Sequence, residues 1–344
     1  METVWFALLT FLLAGYVVLD GFDLGAGAIS PWVARTRGDR AALLRSIGPL
    51  WDGNEVWLIA AGGTLFMAFP RLFSAAFAGF YLPLTIFVWL IVLRGLSIEL
   101  RGHFESPVWI DIWDFVFFAS SALLALVLGV ALGNVVRGVP LDGEGWFFTP
   151  LWTDFTHYGH VGVLDPYTLL VGTTALSALA MHGASWLAHA TGGDLAARAR
   201  RGATRLWWST ALLTTGMTAA SFALQPQLGA NLSDQPWGAV FPLVAIGGLL
   251  AHRVYLGRDA PTHAFLGSGT YLAGMLASVA FGLYPLVLPS TLEPAHALTA
   301  ANAHGPGDGT TVALFWWIPG MALVLGYTAL VYRTFGRAKV SDPS

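Results

Sequence analysis

Long apolar segments follow one another along almost the whole of this chain, and short polar stretches separate them. A helix needs roughly 20 mostly apolar residues to cross the hydrocarbon core of a membrane. Nine segments meet this requirement, at about 4–28, 46–69, 73–97, 112–136, 164–190, 207–225, 238–256, 264–288 and 312–333. The sequence therefore predicts an all-α integral membrane protein with nine transmembrane helices.

The composition supports a membrane protein and excludes several kinds of chemistry. Only 11% of the 344 residues are charged, whereas soluble domains carry about 25% charged residues. The chain has no cysteine, which excludes disulfides, cysteine-ligated clusters and the C-x-x-C-H attachment of c-type haem. It begins METVWFALL, without a basic residue, so we expect the first segment to be a retained helix and not a signal peptide.

Basic residues are distributed unevenly between the two sides of the predicted membrane. With the N-terminus outside, the inner stretches hold 15 of the 17 basic residues, and only Arg71 and Arg137 lie outside. The inner group is Arg35, Arg37, Arg40, Arg45, Arg94, Arg101, Arg198, Arg200, Arg201, Arg205, Arg253, Arg258, Arg333, Arg337 and Lys339. Because cytoplasmic loops are enriched in arginine and lysine, we predict an outer N-terminus and a cytoplasmic C-terminus.

Acidic residues occur inside two neighbouring apolar segments. The stretch GPLWDGNEVWLIAAGG at 48–63 carries Asp52 and Glu55. If this helix enters from the cytoplasmic side near Ser46, they lie roughly 9–14 Å along it, and their i, i+3 spacing puts both on one face. The preceding segment, VVLDGFDLGAG, carries a second such pair, Asp20 and Asp23. Two helices thus bring four acids to one inner depth.

These acids admit two interpretations. An ionised acid near a bilayer centre costs about 2.5–3.5 kcal/mol on insertion scales. Without a nearby lysine or arginine the four would repel one another, so we expect some to be protonated and to share hydrogen bonds with Asn54 or water. They could relay protons, in which case Asp20 and Asp52 are favoured, while Asp23 and Glu55 could reach the interface and be solvated. Alternatively, they cap helix ends and anchor interhelical hydrogen bonds.

A histidine inside the fifth segment raises the question of haem. His182 lies deep in ALAMHGASW, and His189 follows on the same face. Membrane b-type cytochromes use helix histidines as axial ligands, but the sequence suggests no second buried histidine on another helix. We therefore interpret His182 as a neutral histidine hydrogen-bonded between helices and keep a ligand role as the weaker alternative.

Glycine pairs in several segments indicate close helix packing rather than nucleotide binding. The G-x-G pattern at 25–27 and again at 267–269 has no strand context of the kind that a nucleotide-binding loop requires. Small residues let helix backbones approach closely in membranes. We predict packing glycines at both places and also at Gly62 and Gly63.

Several motifs together resemble a known family. They are DGFDLGAG at 20–27, GPLWDGNEVWLIAAGGTLFMAFP at 48–70, FYLPL at 80–84 and LRGLSIELRG at 93–102, with weaker matches at 130–142, 167–172 and 284–294. In this order, over nearly the whole chain, they resemble subunit II of cytochrome bd-type quinol oxidases. The WDGNEVW block after DGFD carries most of the specificity.

The resemblance implies a terminal oxidase that oxidises quinol and reduces dioxygen to water in the cytoplasmic (inner) membrane of a bacterium or archaeon. Two b haems and one d haem would lie in subunit I, with no catalytic residue and no metal in this chain. The partners would be subunit I, small single-helix subunits, lipids and quinol, which is ubiquinol or menaquinol, but no nucleic acid. A structural quinone is a further possibility.

The family arrangement also implies a layout and a role for the acids. A first four-helix bundle would occupy 1–140, an outer loop 141–163, and a second bundle with a peripheral final helix and a cytoplasmic tail 164–344. The proton-input acids of the family fall on Asp20 and Asp52, while Asp23, Asn54 and Glu55 complete the motifs. The alternatives are a proton-coupled secondary transporter, which would more often show inverted repeats, and a haem-ligating cytochrome b subunit.

Overall fold

The described part of the chain is almost entirely helical. The computed structural model describes residues 1–156 and 158–335, without the side chains of residues 307 and 308. His157 and the predicted tail at 336–344, with Arg337 and Lys339, lie outside the described residues. The helices are α1 (Glu2–Leu19), α2 (Gly21–Val33), α3 (Arg37–Ile47), α4 (Trp51–Ala68), α5 (Pro70–Gly79), α6 (Tyr81–Leu100), α7 (Pro107–Arg137), α8 (Pro166–Ala190), α9 (Gly193–Leu224), α10 (Pro226–Asp234), α11 (Val240–Gly257), α12 (Pro261–Leu283), α13 (Ala300–Ala303) and α14 (Gly307–Phe335). Strands β1 (Leu286–Leu288) and β2 (Leu298–Thr299) pair antiparallel between α12 and α13.

The membrane spans are helices, as the sequence predicts, but in the part of the chain that the structure describes fewer than nine of them are long and apolar enough to be recognised as crossings by length and composition. Among the described residues, six spans are long and apolar enough to cross a membrane, and the bent pair α4–α5 would add a seventh. α8 and α9 have 25 and 32 residues, but polar residues in α8 and arginines at the start of α9 make them less apolar. The helical membrane architecture is confirmed, and the count of nine crossings stays a prediction.

One end of the helical assembly gathers many of the arginines. Arg40 of α3 pairs with Asp114 of α7 at 3.1 Å, and Arg198 of α9 pairs with Asp39 of α3 at 2.7 Å. α3 is held there by a capping box, because the Thr36 hydroxyl accepts from the Asp39 N–H and the Asp39 carboxylate accepts from the Thr36 N–H. We call the end formed by α3, the α6–α7 connection and the start of α9 the basic end.

The opposite end carries the two long connections, and we call it the loop end. Arg137, at the end of α7, is buried there and forms an ion pair with Asp165 at the start of α8. It also donates to the Gly162 carbonyl at 3.1 Å. Val139 bridges to Ser290, so the segment after α7 lies beside the segment after β1. Both connections are therefore tied to the helices that they join.

Close contacts between α2 and α8 confirm the packing interpretation of two glycine pairs. A Cβ at Gly25 would lie 1.8 Å from the Leu179 carbonyl oxygen, and one at Gly183 would lie 2.1 Å from the backbone nitrogen of Ala26. Gly267 of α12 approaches the backbone of α11 in the same way. For Gly62 and Gly63 the packing prediction is wrong within the described part of the chain, because none of its atoms lies within 4 Å of a Cβ at either position.

The second predicted segment, 46–69, begins at the wrong place. Ser46 belongs to α3, the chain turns at 48–50, and α4 starts only at Trp51. Asp52 therefore lies in the first turn of α4 and not six residues inside a helix. The dipeptide Gly48-Pro49 was the sequence signal for this turn, because glycine and proline together mark breaks between helices.

Two other predicted helix boundaries also need correction. The segment 73–97 is divided into α5 and α6, and α5 bends away from α4 by 116° after Phe69, where Pro70 opens the new helix. The segment 264–288 ends as a helix at Leu283, and 286–288 is β1. Pro285 explains this ending, because proline has no backbone N–H for a helix to continue through.

Candidate functional site at the junction of α1 and α2

A buried arginine lies at the centre of the acidic motifs. The Arg94 side chain, from α6, is 0% exposed. Its guanidinium donates to both carboxylate oxygens of Asp20, with Nη2 2.6 Å from Oδ1 and Nη1 3.0 Å from Oδ2. Nη1 also lies 3.0 Å from Oε1 of Glu55 on α4. One guanidinium thus joins α6, α4 and the junction between α1 and α2 through charge-assisted hydrogen bonds.

The local backbone explains how Asp20 reaches this position. Asp20 lies between α1 and α2, yet its N–H donates to the Tyr16 carbonyl and its own carbonyl accepts from the Leu24 N–H. The chain therefore continues in a nearly helical path, and the Asp20 carboxylate makes no capping hydrogen bond to the first turn of α2. The carboxylate, 0% exposed, instead points at Arg94.

A second series of side-chain hydrogen bonds starts at Asp23, one helical turn after Asp20. Asn54 Nδ2 donates to Asp23 Oδ2 at 2.7 Å, and the Tyr332 hydroxyl of α14 donates to Asn54 Oδ1 at 2.9 Å. Asp23 is 0% exposed, and its Oδ1 has no hydrogen-bond partner among the described residues. An incompletely paired carboxyl of this kind is costly as an anion, which makes it a group that can bind a proton.

Asp52 occupies the outer edge of the same arrangement. It is exposed in the first turn of α4, at the basic end, one helical turn before Glu55. The Glu55 side chain is 19% exposed. The acids therefore form a series that runs from exposed Asp52, through mostly buried Glu55, to buried Asp20.

Three expectations about these acids were wrong, although the motifs do come together. The acids are not without a cation, because Arg94 pairs with two of them. Asp23 is not solvated at an interface but fully buried, and Glu55 is mostly buried. The sequence places Arg94 among the arginines of the inner stretches. In the structure α6 continues to Leu100, so Arg94 lies about 9 Å along the helix from its C-terminal end. An arginine in the middle of the apolar run LIVLRGLSI was the signal that pointed to it.

His182 is engaged at both ring nitrogens. Nδ1 lies 2.7 Å from the Ser268 hydroxyl of α12, and Nε2 lies 3.0 Å from the Val18 carbonyl of α1. A carbonyl can only accept, so Nε2 donates to Val18, and Nδ1 faces the Ser268 hydroxyl, which also lies 2.8 Å from the Phe265 carbonyl. This is the geometry of a neutral histidine hydrogen-bonded between helices, and it leaves no nitrogen for axial ligation of haem.

A second buried histidine corrects one step of the sequence argument. His252 of α11 is 0% exposed, and its Nδ1 donates to the Ala264 carbonyl at 2.9 Å. The sequence suggests no buried histidine on a helix other than that of His182, so this prediction is wrong. The feature that disfavours a haem site is therefore the occupation of both His182 nitrogens by hydrogen-bond partners. Within the described ranges, no group of three or more histidine, aspartate or glutamate side chains could hold a metal ion.

We predict that the chain expressed without a partner binds no haem, because both His182 nitrogens already have hydrogen-bond partners. The measurement is an absorbance and pyridine haemochrome spectrum of the purified chain. Stoichiometric haem that disappears in His182→Ala but not in the control His263→Ala would contradict the prediction.

The fold and the site together define an integral membrane protein with an arginine-centred carboxyl cluster buried near one end of its helices. The sequence model of the family described as cytochrome bd terminal oxidase subunit II matches residues 1–335. The chain belongs to this family. It is thus a subunit of a terminal quinol oxidase of the inner membrane and forms a complex with subunit I.

Individual relatives match over almost their full lengths. The chain is 31% identical to the probable cytochrome oxidase subunit 2 of Haemophilus influenzae, covering 98% of this chain and 95% of the relative. It is 30% identical to the cytochrome bd-I ubiquinol oxidase subunit 2 of Escherichia coli K12, covering 99% and 96%. The fold is similar to a chain of the bd oxidase of Geobacillus thermodenitrificans, with a TM-score of 0.75, 19% identity, and 97% and 98% of the two chains covered.

Proposed function

We propose that this subunit carries protons from the cytoplasm towards subunit I, through the acids around Arg94, and acts as a scaffold for that subunit. In this proposal the chain has nine crossings, arranged as two four-helix bundles plus the final helix, with the two b haems and the d haem held by subunit I. Reduction of dioxygen there consumes protons. The observation that carries the proposal is the series from exposed Asp52 to buried Asp20 beside a single arginine.

The number of acids argues against a purely structural ion pair. A structural pair needs one carboxylate for one guanidinium, whereas Arg94 faces Asp20 and Glu55, with Asp23 and Asp52 close by in the motifs. One positive charge cannot neutralise four carboxylates, so adding a proton to this group relieves repulsion. An acid series of this kind can accept a proton at Asp52 and release it further inside.

Glu55 is the step that connects the exposed acid to the buried ones. Glu55→Gln keeps the shape and a hydrogen-bond acceptor for Arg94 but cannot carry a proton. We expect assembly near the wild-type level, because Arg94 retains both bonds to Asp20, and quinol oxidase turnover lower by about a hundredfold, at the low end of what a positioned proton-transfer group contributes.

The measurement is oxygen consumption and proton uptake by the assembled oxidase in vesicles. Glu99→Gln is the matched control, since Glu99 lies exposed near the end of α6, at the same end of the chain. Normal turnover and proton uptake in an assembled Glu55→Gln enzyme would exclude a path through this residue.

Orientation is a separate part of the proposal. We predict the N-terminus and the loop 289–311 outside and the C-terminus inside, because 15 of the 17 basic residues then lie on the cytoplasmic side. Reporter fusions at the C-terminus and within the loop measure this directly. A C-terminal reporter active only on the outer side would invert the topology and place Asp52 at the wrong surface for uptake.

A further inference from the structure

A cavity of about 360 Å³ opens at the basic end between α2, α3 and the start of α7. Its lining mixes two kinds of side chain. The apolar part includes Leu44, Phe115 and Phe118, and the charged part is Arg40, Asp111 and Asp114. A site that combines charges with aromatic and aliphatic walls suits an amphiphile better than a water-soluble ion.

The surroundings place this cavity at a lipid-facing boundary. On α7 the side chains of Val108, Ile112 and Phe115 are all exposed, and their spacing of four and three residues puts them on one face. Trp32, also exposed, packs edge-to-face on Phe118 with ring centroids 5.7 Å apart. An exposed apolar face beside charged groups and a tryptophan is typical of the membrane–water interface.

The charges at the cavity do not cancel. Arg40 and Arg101 share Asp114, while Arg37 and Arg40 both reach Asp111 at 3.4 Å. Of these groups Arg40, Asp111 and Asp114 line the cavity, and Arg37 and Arg101 reach the two carboxylates from outside the lining. Together, three guanidinium groups meet two carboxylates, which leaves one net positive charge around the cavity. The contacts to Asp111 are long, and Arg37 and Asp111 are both more than half exposed. The side chains of Arg37 and Arg40 can therefore turn towards a further anion.

We propose that this cavity binds one anionic glycerophospholipid of the phosphatidylglycerol type. Its phosphodiester accepts hydrogen bonds from Arg37 and Arg40, and an acyl chain lies along Phe115 and Phe118. A single phosphate charge matches the one unpaired positive charge, and a guanidinium fork binds phosphate oxygens well. Basic pockets between helices on the cytoplasmic side of a membrane are general sites for anionic headgroups.

The test measures lipid binding to the assembled oxidase by native mass spectrometry, after delipidation and titration with phosphatidylglycerol. We expect each arginine removed to weaken this binding by about fivefold, so the double variant R37Q/R40Q should lose the tightly bound lipid. Arg45→Gln changes an exposed arginine of α3 that has no ion pair to Asp111 or Asp114 among the described residues, and this variant should bind as the wild type does. Phosphatidylcholine should bind wild type and double variant equally weakly.

Two more variants keep the proposal testable if the double variant does not assemble. Asp111→Asn removes the acid that competes for Arg37 and Arg40, so phosphatidylglycerol should bind about fivefold more tightly. Leu44→Trp fills the apolar part without changing the charge and should weaken binding. Unchanged or weaker binding in Asp111→Asn, equal binding of the two lipids to the wild type, or displacement of the lipid by equimolar inorganic phosphate would each overturn the proposal.

Discussion

Replacing Arg94 by glutamine should abolish most of the assembled oxidase. The guanidinium is the only cation within hydrogen-bond reach of Asp20 and Glu55 among the described residues, and Arg94 and Asp20 are both 0% exposed. Removing one partner of a buried ion pair leaves an uncompensated charge, which costs about 3–5 kcal/mol. That is a large share of the stability of a typical domain, roughly 5–15 kcal/mol.

The measurement is the yield of complex that contains both subunits, together with its thermal unfolding midpoint. Arg94→Lys should give an intermediate result, because a lysine keeps the charge but cannot bind both Asp20 oxygens in a fork. Arg205→Gln, an exposed arginine of α9, is the control and should change stability by less than about 0.5 kcal/mol. An Arg94→Gln complex with wild-type yield and midpoint would show that the cluster does not depend on this charge.

Asp52→Asn should leave the complex assembled and slow its turnover by about tenfold, since a positioned proton-transfer group contributes at least this much. Asp52 is exposed, so its loss costs little packing, and asparagine keeps the shape but carries no proton. Asp52→Glu should retain more activity because its carboxyl survives on a longer arm. Oxygen consumption and proton uptake by the reconstituted oxidase measure both variants.

A comparison with Asp20 separates the relay from a packing role. On motif grounds Asp20→Asn should behave like Asp52→Asn, and the double variant should be little worse than either single one if both serve one path. Because Asp20 binds Arg94 at two oxygens, we now expect Asp20→Asn to lower the yield of complex as well.

A packing role for Asp52 gives the opposite pattern. Asparagine would be tolerated at full turnover, and the bulkier Asp52→Leu would lose the assembled complex. Full turnover and proton uptake in assembled Asp52→Asn would therefore refute the relay.

The sequence by itself determined the helical membrane class, the family and the motifs that meet. Each of these depends on local information, namely the length of an apolar run, the spacing of acids along one helix, or a short block such as WDGNEVW. The acids of 20–23 and 52–55 were expected to lie together because consecutive helices usually pack side by side. The contact of Asn54 with Asp23, at 2.7 Å, confirms that expectation.

Only the tertiary structure decided what surrounds those acids. Arg94 is 74 residues from Asp20, and Tyr332 is 278 residues from Asn54, so no periodicity along the chain connects them. The start of α4 at Trp51 follows from the turn at 48–50, and the depth of Arg94 follows from the continuation of α6 to Leu100. In a membrane both a turn and a helix can be apolar, so hydropathy does not separate them. The distances between helices decide which residue pairs with a buried charge. These distances cannot be read from the order of residues within any one helix.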